Sequence, residues 1–365
     1  MSTQPEANAM NTPSTIDAAK LEAFVNRAVG DLASAYGGVM VSLGHKLGLY
    51  KALAGAGPLS AVELAARSGC AERYVREWLN AQAAAGYLDF HAISATYELS
   101  PEHAMVLADE DSPTFIPPAW NAPASMWFDE DKTLDAFRTG RGVAWGEHDP
   151  RMACGSAAFY RNGYRASLVP QWLPALDGVV AQLQAGIEVA DIGCGHGHST
   201  VLMAQAFPNS RFHGYDPHAV SIDAARRNAE QAGVAARAAF EQTDAVHYAN
   251  RQYGLICFFD CLHDLGDPEA AARHAAETLA PGGTVMLVEP FAHDHAQDNF
   301  NTVGRLYYAG STTICTAHAI AEGGRLVLGA QAGEKRLAKV FRTAGFTRFR
   351  RAAETPFNLI FEARR

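Results

Sequence analysis

From about residue 186 the chain alternates short apolar runs with helix-length stretches, and this alternation limits its fold more than any other feature. The runs are 187–192, 211–215, 255–259 and 284–288, and the stretches between them, 199–207, 219–232 and 268–279, are long enough for crossover helices. Strands joined by such crossovers pair in parallel and need cover on both faces. The pattern therefore predicts an α/β domain with a doubly wound, mostly parallel sheet. An amphipathic helix at 333–344 and two β-prone runs at 346–350 and 357–363 add a closing antiparallel pair.

The first run ends in Val189-Ala190-Asp191-Ile192-Gly193-Cys194-Gly195-His196-Gly197-His198, a strand, a glycine-rich turn and a helix start. Amides at such a turn attract a carboxylate or phosphate. The dinucleotide pattern GxGxxG needs glycine at 198, where this chain has His198, and its third glycine comes one residue early, at Gly197. No GxxxxGK[ST] is present either, which removes the phosphate-loop nucleotidases.

GxGxG with an acid two residues ahead resembles motif I of the class I S-adenosylmethionine-dependent methyltransferases. The order of the later segments strengthens the resemblance: Asp216 follows the run 211–215, Phe240-Glu241-Gln242-Thr243-Asp244-Ala245 ends a third strand ahead of the run 255–259, and Leu279-Ala280-Pro281-Gly282-Gly283 matches the element after strand four. The resemblance implies a Rossmann-like sheet of seven strands and S-adenosylmethionine as cofactor. It implies contacts from Asp191, Gly193, Cys194, Gly195 and Gly197 around the methionine part, Asp216 at the ribose, and Asp244, Ala245 and Phe259 at the adenine.

Residues 16–100 carry the 3.6-residue periodicity of helices, with a helix–turn–helix around 58–85 in which Tyr74, Trp78 and Leu79 are expected to face inward. The pieces 87–90 and 96–99 form a hairpin, giving a winged-helix pattern. Over 17–110, seven Lys and Arg stand against eleven acids, and the whole chain has a net charge of −9. Neither balance offers a cationic surface for nucleic acid or anionic lipid. Dimerisation through this domain, with a covering role over a substrate, fits its apolar first helices better than DNA binding. A cofactor-sensing winged-helix transcription regulator stays open as the rival.

Residues 1–15 have the composition of a disordered tail, with Ser14 or Thr15 placed to cap the first helix. The opening residues show no export signal, no apolar run is long enough to span a membrane, and six cysteines form no framework. A cytoplasmic protein is expected. Four of five tryptophans lie in 111–172 together with Phe159, Tyr160 and Tyr164, so this segment is read as an aromatic linker and lid. The domains are then a winged-helix domain at 16–110, the linker, and a cofactor domain at 173–365.

After the run 255–259 comes Cys261-Leu262-His263-Asp264-Leu265-Gly266-Asp267-Pro268, similar to the LHDW(S/G)D motif of small-molecule O-methyltransferases with an N-terminal winged-helix dimerisation domain. That family implies His263 as general base, Glu289 as the acid that orients it, and a homodimer. A histidine satisfied by local backbone at a strand end is the plainer alternative. A second orienting acid is sought at Glu322 or Glu334. The acceptor, a small and aromatic hydroxyl-bearing molecule, would lie among Trp120, Phe159, Tyr160 and Tyr164. Methyl transfer to nitrogen, sulfur or carboxylate without a base remains the alternative. His293-Asp294-His295 suggests metal ligation, but no carboxylate-and-amide set of the magnesium-dependent kind is found, so no metal is expected. The broadest resemblance, over roughly 35–365, is to winged-helix methyltransferases of the mycobacterial type.

Overall fold

The computed structural model describes residues 16–365; the tail expected at 1–15, with its Ser14 or Thr15 cap, lies outside the described residues. The chain parts into two compact units, Met1–Ala104 and Met105–Arg365.

In the first unit the helix Ala18–Lys46 runs unbroken through Gly37 and Gly38. Asp17 is its cap, its carboxylate accepting from the amides of Ala19 and Lys20 at 3.0 and 3.1 Å. Near its end Gly44 leaves room for two rings: a Cβ there would meet Trp78 at 2.5 Å and Tyr50 at 2.7 Å. Those rings pack edge to face at 5.1 Å. The helices Ala61–Ser68 and Glu72–Ala84 come next, the first opened by a Ser60–Glu63 capping box. Strands β1 (Asp89–His91) and β2 (Thr96–Glu98) form the antiparallel wing.

One inward assignment is corrected. Tyr74 is 82% exposed, and Val75 takes its place beside Trp78, Leu79 and Gln82. Positions 75, 78, 79 and 82 share one helical stripe, and 74 falls about 100° off it. The basic residues of this helix are paired along it, Arg73 with Glu77 and Arg76 with Glu72.

In the second unit seven strands form one sheet: β3 (Glu188–Ile192), β4 (Arg211–Asp216), β5 (Ala238–Gln242), β6 (Tyr253–Phe259), β7 (Leu279–Pro290), β8 (Arg348–Glu354) and β9 (Asn358–Arg364). Their spatial order is β5-β4-β3-β6-β7-β9-β8, parallel from β5 to β7, with β9 antiparallel to both of its neighbours. The seven-stranded expectation holds. β7 starts at Leu279, earlier than the run at 284, because Leu279 pairs with Tyr253 ahead of a register shift.

Successive residues of the central strands feed two separate cores. Val189, Leu255, Cys257, Met286 and Val288 pack on one face, whereas Ala190, Ile192, Ile256, Phe258, Val285 and Leu287 pack on the other. This is why the strands read as continuous apolar runs and not as alternating ones. The helices Asn121–Phe128, Glu130–Thr139 and Arg151–Ser167 occupy most of the aromatic stretch and belong to this unit.

Gly214 in β4 has no room for a side chain, since a Cβ would stand 2.5 Å from the Phe240 ring and 2.9 Å from Cys194 Sγ. Gly214→Ala is expected to destabilise the second unit by about 1–3 kcal/mol. Urea unfolding with an unchanged m-value checks this, and a shift under about 0.5 kcal/mol would refute the packing argument.

Candidate functional site

The turn after β3 is tied down before it meets any ligand. Asp191, 1% exposed, accepts from Ser199 Oγ at 2.7 Å and Thr200 Oγ1 at 2.5 Å, fixing the start of the helix His198–Ala206 to the strand end. Burial pushes its carboxyl up to about 6 against those hydroxyl bonds. The amides of Gly193 and Cys194 donate to Tyr215 O at 2.8 and 3.0 Å. Gly193, Gly195 and Gly197 all hold positive φ, at 68°, 52° and 72°. Their surroundings differ. A Cβ at Gly193 would strike Cys261 at 2.8 Å and one at Gly197 would strike Phe240 at 2.7 Å, whereas one at Gly195 meets nothing within 4 Å.

Gly193, Cys194 and Gly195 line a cavity of about 560 Å³ within the second unit. Asp216 lines it too, at the end of β4. One of its oxygens accepts from the Gly195 amide at 3.0 Å and the other from the His218 amide at 2.9 Å. Burial raises its pKa and these two N–H groups oppose the rise. A carboxylate has about four lone-pair positions, so two remain for ligand hydroxyls.

The opposite part of the cavity is aromatic. Trp120, Phe159, Tyr160, Tyr164 and Phe259 all line it. Tyr160 stacks on Tyr164 at 5.7 Å, Phe159 meets Tyr160 edge-on at 5.1 Å, and Tyr164 leans on Phe259 at 5.5 Å. These side chains come from the turn Pro117–Trp120, the helix Arg151–Ser167 and the end of β6, so the stretch read as a linker forms a wall of the cavity.

His263 stands in the short 3-10 turn Leu262–Asp264 after β6 and reaches this cavity with only 4% of its side chain exposed. Its Nδ1 lies 2.7 Å from Glu289 Oε2, and the other Glu289 oxygen accepts from the Leu262 amide at 3.1 Å. On the opposite ring edge Nε2 lies 2.8 Å from Asp264 Oδ1. Burial alone would lower the histidine's pKa, but the carboxylates of Asp264 and Glu289 outweigh it and hold it well above the usual range. The ring therefore lies between two carboxylates that favour its charged form.

Of the residues expected at the site, ten line the cavity: His263, Gly193, Cys194, Gly195, Asp216, Phe259, Trp120, Phe159, Tyr160 and Tyr164. Glu289, Asp191 and Gly197 stand behind the lining as supports. Asp244 and Ala245 lie outside the lining. Asp244 is about half exposed and accepts from His247 Nδ1 at 2.8 Å and the Val246 amide at 2.9 Å, closing a local turn just past β5. The second acid is neither candidate: Glu322 binds His318 and the Gly266 amide, and Glu334 binds Arg351. Asp264, adjacent in sequence, makes that contact instead. Asp294 accepts from the Lys335 amide and takes no part in the His263 cluster. Sequence reasoning also passed over Asp260, Tyr307, Cys315 and His318, all in the lining. Only Asp260 carried a signal, as an acid directly following a strand run.

Because the histidine's pKa is raised in the folded state, its ion pairs stabilise the fold fully below about pH 6.5 and lose that effect only as pH rises through the raised value. A histidine NMR titration is expected to show His263 protonated through neutrality, with Glu289→Gln bringing its midpoint down. Titration near the ordinary value in the unaltered protein would contradict the two-carboxylate arrangement.

Comparison with known proteins accords with this architecture. Residues 35–109 match a family described as the Rv2258c-like winged HTH domain, and residues 163–347, just over half of the chain, match the family described as the methyltransferase domain. A 27-O-demethylrifamycin SV methyltransferase from Amycolatopsis mediterranei is 32% identical over 107 residues, 29% of this chain and 39% of that protein. A trans-aconitate 2-methyltransferase from Deinococcus radiodurans is 30% identical over 135 residues, 36% of this chain and 50% of that protein. The matched stretches thus span half or less of these relatives. Among solved structures, human N-acetylserotonin methyltransferase in complex with SAM superimposes with a TM-score of 0.68 at 17% identity, covering 97% of this chain and 99% of that one. An O-methyltransferase from neocarzinostatin biosynthesis, solved with S-adenosyl-L-homocysteine and 1,4-dihydroxy-2-naphthoic acid, gives 0.62 at 19%, covering 93% and 98%. Those two likenesses speak for the fold, and the domain matches for the lineage: the chain belongs to the methyltransferase-domain family and carries an Rv2258c-like winged HTH domain.

Proposed function

We propose that the chain transfers a methyl group from S-adenosylmethionine to a hydroxyl of a small aromatic molecule, with His263 as base and Glu289 as the group that orients it. The observation that carries this reading is the 2.7 Å His263–Glu289 contact at the wall of a cavity shared by the 193–195 turn and the aromatic side chains. The residues present suit the cofactor: Gly195 leaves open space where a Cβ would project, and Asp216 keeps lone pairs for a pair of ribose hydroxyls. Asp244 does not contribute in this arrangement, so adenine contacts fall to Phe259 and its neighbours. When bound, S-adenosylmethionine supplies an electrophilic methyl group on sulfur.

The chain's own contribution is alignment, exclusion of water and a proton acceptor. To act as base the ring first gives up its Nε2 proton to water, and Nε2 then faces the acceptor hydroxyl in place of Asp264 while Glu289 keeps the Nδ1 proton. As that hydroxyl is methylated its proton would pass to Nε2. The resulting imidazolium is the species that Glu289 and Asp264 stabilise on either side, and its proton passes to water after product leaves. Two flanking carboxylates thus raise the basicity of the ring toward that of a phenol, whose pKa is about 10.

His263→Ala is expected to lower kcat for a hydroxyl acceptor by about 100–10,000-fold, with partial recovery at high pH and little change in cofactor Kd. The contact of Nε2 with Asp264 favours one second reading, transfer to nitrogen, sulfur or carboxylate without a base. Retention of more than about a tenth of kcat in His263→Ala would select it.

We also propose that the first unit pairs with a second copy of the chain. Supporting this, Leu21, Phe24, Val29, Leu32 and Tyr36 on the helix Ala18–Lys46 are each more than half exposed, a long apolar stripe that water would otherwise cover. Light scattering is expected to give a dimer mass, and Phe24→Asp with Leu32→Asp a monomer. A monomeric unaltered protein would overturn the pairing.

A further inference from the structure

Asp260 directly follows β6 with φ +50°; with Ala95 it is one of two non-glycine residues at positive φ among the described residues. Such a conformation costs on the order of 1 kcal/mol or more and persists where surrounding structure holds it for a purpose. Its holders are visible. Tyr164 donates its hydroxyl to one carboxyl oxygen, and Asn358 of β9 donates through Nδ2 to the other at 2.8 Å. Asp260 lines the cavity, and each carboxyl oxygen keeps a lone pair beyond these two bonds.

The groups facing Asp260 leave a charge deficit. His263 and Asp264 come from the turn after β6, Glu289 from the end of β7, Tyr160 and Tyr164 from the helix Arg151–Ser167, and Tyr307 from the helix Thr302–Gly310. Once Asp260 ionises, three carboxylates share the His263 ring, and the remaining neighbours are Asn358, Cys261 and phenols held in their neutral form by burial. A desolvated negative excess walled by aromatic rings is complementary to an organic cation.

We infer that Asp260 is the counter-ion of an organic cation, an ammonium or sulfonium group, bound in the cavity beside Tyr160 and Tyr164. The inference rests on reading this cavity as the methyl-transfer site. Two sources share that chemistry: the charged methionine end of the cofactor, or an acceptor that carries an amine. The close approach of Gly193 to Cys261 sets Asp260 beside the turn expected to hold the cofactor.

Burial pushes the Asp260 carboxyl up to about 8, so it is largely protonated at neutral pH until a cation arrives. Cation binding then expels that proton, and affinity rises with pH, levelling above the raised value. Between about pH 7 and pH 8.5 the gain is roughly tenfold.

The test is calorimetric binding of four probes to the full chain and to Asp260→Asn: S-adenosylmethionine, S-adenosylhomocysteine, tyramine and 4-ethylphenol. If the cofactor is the source, S-adenosylmethionine binds the variant about 10–100-fold more weakly and without the pH dependence, and S-adenosylhomocysteine shows whether the sulfonium or the ammonium is read. If the acceptor is the source, tyramine alone loses affinity and its uncharged analogue does not. A variant with unchanged Tm that binds all four probes as the original does would overturn the inference. Should the variant fail to fold, proton release is measured on the unaltered protein in buffers of different ionisation enthalpy, and no release with any charged probe would overturn it equally. Binding without turnover would remove the proposed transfer and leave this result standing. Absence of cofactor binding would remove the proposed function while the tyramine arm still reads Asp260.

Discussion

The contact between Gly193 and Cys261 is the constraint on which the site depends. A side chain at 193 would place a carbon 2.8 Å from Cys261, so the turn after β3 and the segment after β6 close up only because one of them carries glycine. β3 and β6 are hydrogen-bonded neighbours at the point where the sheet changes direction, and ligands in open α/β sheets sit beyond the carboxyl ends of such a pair. The first segment carries Gly193, Cys194 and Gly195 of the cavity lining and the second carries His263. Parallel pairing sets their height, and the missing Cβ sets their separation.

The features legible in the sequence are those dictated by backbone requirements. The order of strands and crossovers, the glycine turn, Asp216 and the pairing of His263 with Glu289 all fall where short-range pattern places them, because each is set by strand ends and turn chemistry. Tyr74 was misread because periodicity fixes a stripe only to within one residue. Asp244 sits outside the cavity lining because a carboxylate three residues ahead of His247 finds a nearer partner than any ligand. The role of Asp264 was missed for the opposite reason: side chains adjacent in sequence usually diverge, and only the tight turn Leu262–Asp264 folds this one back onto the ring. Asp260 was invisible in function because its importance lies in a positive φ and in a partner 98 positions away.

The cavity divides by polarity. Toward the 193–195 turn it offers backbone amides and Asp216, and toward the helix Arg151–Ser167 it offers rings. The carboxyl groups of Asp260, Asp264 and Glu289 are gathered about His263, and their burial strengthens the interactions among them. Satisfying so many buried acids takes donors from several separate stretches of chain, which makes the charged middle of the cavity a property of the whole second unit.

The position of β9 has a consequence for synthesis. It is the last strand in sequence, yet it lies inside the sheet between β7 and β8 and brings Asn358 to Asp260. Until residues 358–364 leave the ribosome, β7 presents an unpaired edge whose apolar faces are already formed, a surface prone to the wrong partner. The parallel half of the sheet can assemble as it is made, but the Asp260 side of the cavity is completed only after β9 has been synthesised.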